Sequence, residues 1–150
     1  MPTLDRTKYA PAAGLKRGAY VVADADDGKP QVLLLASGSE VALCVEAYET
    51  LKKDGIRARV VSMPSWEVFE RHCRENPEYR EQVLPESVGA RVSVEQGSTL
   101  GWARYVGRSG HSIGMETFGA AAPLKELQKK FGFTPENVIA AAKNQIARCA

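Results

Sequence analysis

Nothing in the composition leans towards one specialised class of protein, and each thing that is scarce excludes something. Cysteine is limited to Cys44, Cys73 and Cys149, an odd number without Cys-x-x-Cys spacing. That argues against a secreted disulfide framework and fits a reducing cytosol. Histidine is limited to His72 and His111, neither at ligand spacing from a cysteine, so no zinc site is expected. No apolar run approaches the roughly 20 residues needed to cross a bilayer, and the polar, proline-containing start is no secretory signal. Excess charge is also missing: 20 basic against 18 acidic residues leave a net charge of +2. The balance gives no pull towards nucleic acid or an anionic membrane. The small basic group Lys125, Lys129 and Lys130 adjoins Glu126 and reads as the solvated face of a helix.

What is present is a chain of 150 residues, 44% hydrophobic and 25% charged, enough for one domain with one buried core. Residues 1–17 hold Pro2, Pro11 and Gly14 without apolar periodicity, which reads as a linker or extended arm where disorder is expected. A folded element is expected before it. Residues 18–150 read as the domain.

Strand and helix signals alternate along that domain. Gly18–Val22 is β-rich and Val32–Ala36 is a continuous apolar run, as in a strand buried on both faces. The Asp26-Asp27-Gly28 turn between them suggests a hairpin, with the first strand antiparallel to the second. Val41, Cys44, Val45, Tyr48 and Leu51 form a helical stripe that places Cys44 on a buried face. Gly55 ends that helix, and Ala58–Met63 is a further strand, its crossover expected to be right-handed. Short helices are predicted over 66–74 and 78–84, strands over 91–95 and 112–115, and helices over 123–131 and from Pro135 to about Arg148. Ile139, Ala142, Ile146 and Cys149 are expected to line one side of the last helix. The pattern is that of a three-layer α/β domain with a mostly parallel sheet of about five strands.

Candidate chemistry is sparse. Ser37-Gly38-Ser39 lies between a buried strand and a helix, where backbone N–H groups and the helix dipole can hold an anion. Neither GxGxxG nor GxxxxGK[ST] occurs, so a tight turn at Gly38 with Ser39 as N-cap is the preferred reading. His111 sits in a glycine-rich loop, but Gly-x-Ser-x-Gly is absent, and His72 lies in a charged helix. Glu95 and Glu116 follow predicted strands and read as structural or interface residues. Trp66, Phe69, Trp102 and Tyr105 are core candidates. An interface role for Trp102 and Tyr105 stays open, because glycines 97, 101 and 107 imply irregular, exposed backbone. No catalytic residue and no metal ligand is assigned.

Several stretches in order carry a resemblance: Gly18–Val22, Leu35–Val41, Arg57–Ser65 with its Val-Ser-Met-Pro, Val83–Pro85, Ala90–Glu95, Tyr105–Gly107, Thr117-Phe118-Gly119 with Ala122-Pro123, and Phe131–Thr134. Together they resemble the C-terminal domain of transketolase. The resemblance implies a five-stranded mixed sheet with its first strand antiparallel. It also implies a non-catalytic domain of an enzyme that moves a two-carbon ketol unit between sugar phosphates. Intact members use thiamine diphosphate and a divalent metal (Mg or Ca), held by a Gly-Asp-Gly motif with a downstream asparagine. That motif is absent here, since Asp26-Asp27-Gly28 lies at the wrong distances from Asn76 and Asn137. The implied partners are the N-terminal and middle domains, with which members form cytoplasmic homodimers, and the chain would begin just after the middle domain's substrate-phosphate arginine. A small-anion or nucleotide-binding regulatory module, and a separately encoded subunit of a split thiamine-diphosphate enzyme, are the alternatives.

Overall fold

A computed structural model describes residues 3–150. Five strands form one sheet: β1 (Tyr20–Ala23), β2 (Val32–Ala36), β3 (Ala58–Ser62), β4 (Arg91–Ser98) and β5 (His111–Met115). Their spatial order is β1-β3-β2-β4-β5, with β1 antiparallel to β3 and all other neighbours parallel. Six helices complete the domain: α1 (Glu40–Lys53), α2 (Trp66–Glu75), α3 (Pro77–Val83), α4 (Ala103–Val106), α5 (Leu124–Phe131) and α6 (Pro135–Cys149).

The alternation of a β-strand's side chains makes β2 the centre of both cores. Val32, Leu34 and Ala36 point to one face, where Val41, Cys44, Tyr48 and Leu51 of α1 and Val138 and Ala142 of α6 cover them. Leu33 and Leu35 point to the other, against Phe69, Cys73, Tyr79 and Val83 of α2 and α3 with Trp102 and Tyr105. Two helical layers therefore enclose the sheet, and every residue of β2 is buried.

The antiparallel first strand agrees with expectation, but the hairpin does not. β1 pairs with β3, Tyr20 opposite Ser62, and never with β2. The link containing Gly28 has to pass β3 to reach the centre. An ion pair holds it there: Arg59 of β3, 6% exposed, donates from Nε and Nη2 to the two carboxylate oxygens of Asp24, both at 2.8 Å. A turn motif constrains the local chain reversal only, whereas strand order is fixed by which faces are buried.

Three further features differ from expectation. β4 runs on to Ser98, because Gly97 adapts to the irregular pairing between Val94 and Ser98. In α6 the buried face is Val138, Ala141, Ala142 and Gln145, while Cys149 is exposed, so the apolar stripe is rotated from the expected one. The described part of the arm is packed on the domain rather than loose. Tyr9 donates to Glu49 at 2.6 Å, Lys8 pairs with the same carboxylate, and a 3-10 helix spans Ala12–Arg17. It ends at Gly18, whose φ of +80° and close approach to the Phe69 backbone only glycine permits.

Candidate functional site at the carboxyl ends of β2 and β4

In an open α/β sheet, ligands collect where adjacent parallel strands send their connections to opposite sides. Here that point lies between β2, whose chain continues through α1 to β3, and β4, whose chain continues to β5 on the other side. Ser37 follows β2 directly, so the sequence candidate Ser37-Gly38-Ser39 stands at the switch point.

The switch point is filled by the protein's own carboxylates. Ser37 Oγ donates to Glu95 Oε2 at 2.9 Å. Glu40 opens α1, is 5% exposed, and accepts hydrogen bonds from Ser39 Oγ and from Gln96 Nε2. Its carboxylate sits at the positive end of the α1 dipole, where an anion would otherwise be favoured. Gly38 adopts φ +54°, which the tight turn requires, with open space around its missing Cβ. Ser39 occupies the N-cap position but has helical dihedrals and makes no capping hydrogen bond, its hydroxyl being engaged by Glu40. Both carboxylates engage the side chains around the turn, Glu95 through Ser37 and Glu40 through Ser39 and Gln96.

The other candidates do not gather here. Glu116 is exposed beyond β5, without a hydrogen bond or ion pair among the described residues. His111 opens β5 and lines a cavity of about 340 Å³ with Asn144, Gln145 and Arg148. His72 packs edge-on against Tyr79 at 4.8 Å. Trp102 and Tyr105 are each 1% exposed, as core residues, although Leu100, Gly101, Ala103, Arg104 and Gly107 around them are exposed. Trp102 meets Trp66 edge-to-face at 5.0 Å. What a partner could touch there is the surrounding chain, not these rings.

Two polar centres escaped the sequence reading. Glu70 accepts from Arg80 at 2.6 Å, Arg104 at 2.9 Å and Tyr105 Oη at 3.1 Å. Partial burial alone would raise its pKa, but these donors, Arg80 foremost, hold the carboxyl below its ordinary value. Arg91 donates to the carbonyls of Val88, Tyr105, Leu84 and Pro85, tying the loop after α3 to α4. The one available signal was Arg91 heading an apolar strand; its partners are backbone carbonyls, which no side-chain spacing marks, and Arg104 and Tyr105 lie 34 and 35 residues from Glu70.

The site tests the fit of the family's cofactor. Among the described residues no group of three His, Cys, Asp or Glu side chains could hold a metal ion. The switch point offers a diphosphate two carboxylates. These residues do not fit thiamine diphosphate with its metal.

Fold and site together define an open α/β domain in whose usual ligand crevice Glu40 and Glu95 are hydrogen-bonded to side chains of the same chain. Residues 18–134 match the family described as the transketolase-like C-terminal domain, and the chain belongs to that family. It is 50% identical over 143 residues to a transketolase of Halalkalibacterium halodurans, covering 95% of this chain and 21% of that protein. A chloroplastic transketolase of Solanum tuberosum is 49% identical over 131 residues, covering 87% of this chain and 17% of the other. Among solved structures, transketolase from Leishmania mexicana superposes with a TM-score of 0.79 at 41% identity, covering 90% of this chain and 19% of that one. Transketolase of Pichia stipitis gives 0.81 at 35%, covering 93% and 19%. The chain spans about a fifth of the length of the relatives it matches, as their C-terminal domain.

Proposed function

We propose that this chain acts as a non-catalytic domain of a transketolase, residues 18–150 forming the domain and 1–17 the arm that joins it to the rest. The observation that carries this reading is the match itself, 95% of this chain but 21% of the Halalkalibacterium enzyme. The carboxylates at the switch point support it from the chemical side. In this reading thiamine diphosphate and its divalent metal (Mg or Ca) are held by the preceding domains. The enzyme transfers a ketol unit between sugar phosphates in the pentose phosphate pathway, and the domain stabilises a homodimer. Two buried free thiols, Cys44 and Cys73, support a reducing compartment such as the cytoplasm, and no described helix is long and apolar enough to cross a membrane. The anion-module alternative has Glu40 and Glu95 against it. The separately encoded subunit has no comparable support. Purified chain incubated with thiamine diphosphate, magnesium and sugar phosphates is expected to give no ketol transfer, and clear turnover would overturn the reading.

A further inference from the structure

Apolar exposure in this domain is concentrated at one place. Among the described residues the exposed large apolar side chains are Leu15, Leu100, Phe118 and Leu124. Leu15 lies in the 3-10 helix beside β1. The other three lie at the opposite edge, at the carboxyl ends of β4 and β5. Those strands are parallel with Ser98 opposite Met115, so Leu100 and Thr117 leave the sheet side by side. Phe118 is 98% exposed and Leu100 85%.

The backbone there is held only locally, Thr117 Oγ1 donating to the Phe118 carbonyl at 3.3 Å. Between Thr117 and Ala122 no backbone–backbone hydrogen bond forms, and every residue from Glu116 to Glu126 is exposed. Ala120, Ala121 and Ala122 offer no polar side chain to compensate. Behind this strap, α5 places Leu124, Leu127 and Phe131 at helical spacing on one face, yet buries none of its residues. A groove of about 770 Å³, lined by Leu124, Gln128 and Phe133 on one side and Ala42 and Leu43 on the other, separates α5 from α1. Leu127 and Phe131 are only half-buried, Phe131 against the core beneath, and Leu124 is left exposed, so this amphipathic helix has only part of its core. Exposed apolar side chains gathered at one end of an otherwise well-covered domain mark a protein contact.

We propose that the strap Thr117–Leu124, with Leu100 beside it and α5 behind it, is the surface on which the preceding domains of a transketolase are seated. This rests on reading the chain as a transketolase C-terminal domain. The occupant follows from length: most of the Halalkalibacterium protein lies outside the match and has to be accommodated against a domain of this kind. Both faces of the sheet are already covered by the chain's own helices, and of the described surface that remains, this end carries three of the four exposed large apolar side chains. The occupant's chemistry follows from the strap. It must present an apolar hollow for Phe118 and hydrogen-bonding groups for the backbone of Thr117–Ala122, since buried backbone groups require partners.

The test places this chain in the Halalkalibacterium transketolase in place of its matching 143-residue segment, and compares that chimaera with the isolated chain. Phe118→Asp and Leu124→Asp are expected to leave the thermal midpoint of the isolated chain unchanged. In the chimaera they should speed proteolytic release of the domain at least tenfold, whereas Leu15→Asp should not. Equal release rates for all chimaeras would overturn the docking surface while leaving the domain assignment intact. Failure of the unsubstituted chimaera to fold and transfer ketol units would sink the domain reading and the surface with it. Self-association of the isolated chain that Phe118→Asp abolishes would assign the patch to a second copy and refute the proposal.

Discussion

Replacing Trp102 by alanine tests whether this residue belongs to the core or to an interface. Its ring is 1% exposed and meets Trp66 edge-to-face at 5.0 Å and Tyr105 at 6.4 Å. A buried tryptophan removes on the order of 200 Å² from water, which at about 25 cal/mol per Å² is roughly 5 kcal/mol. Large-to-alanine changes at such sites cost about 3–5 kcal/mol, the spread reflecting how far the cavity collapses. Little collapse is expected here, because the ring is held between α2 and the sheet by two further aromatic side chains. For a domain of this size each kcal/mol lowers the midpoint by about 4 °C, so Trp102→Ala should lose ~10–20 °C. Thermal unfolding of the isolated chain, followed by far-UV circular dichroism, gives the answer directly. Trp102→Phe should recover more than half of the loss by keeping the edge-to-face contact. A midpoint within about 2 °C of the parent for Trp102→Ala would refute the reasoning and return Trp102 to the interface.

Other expectations follow from single features. Gly18→Ala should cost about 2–5 kcal/mol in urea unfolding, from a positive φ and a Cβ placed 2.1 Å from Phe69 N. Gly28→Ala, also at positive φ but in open space, should cost only about 1–2 kcal/mol, and equal costs would remove the steric argument. Glu70 has a folded pKa below its unfolded value, so its contribution is present above about pH 4.3 and is lost as pH falls through the lower folded pKa. Stability of the parent should therefore drop more steeply below that pH than stability of Glu70→Gln, and parallel curves would count against the network. With Ellman's reagent one thiol, Cys149, should react in the folded chain, while Cys44 and Cys73 wait for unfolding. Burial pushes both of those thiols up in pKa, and a second fast thiol would contradict their placement.

Local order was legible because it depends on neighbours in sequence. The stripe from Val41 to Leu51 could face only one way, and it buried Cys44 as expected. The unbroken run Val32–Ala36 could survive only between two helical layers, and so it lies at the centre of the sheet. Thr134 caps α6 through Asn137 N with Pro135 next, a signal contained in adjacent residues.

Tertiary structure decided what pairs residues far apart in the chain. No spacing rule puts β3 between β1 and β2, because the Asp24–Arg59 pair that stabilises the crossing joins residues 35 apart. The Glu70 centre draws on Arg80, Arg104 and Tyr105 for the same reason. At the switch point the sequence placed Ser37, Gly38 and Ser39 correctly between strand and helix. Only the fold brought Glu95 and Gln96 of a neighbouring strand against that turn, where Glu95 bonds Ser37 and Gln96 bonds Glu40. Glycines around Trp102 and Tyr105 suggested exposure, since backbone freedom is local. Burial is not local, and both rings are covered by α2 and the sheet.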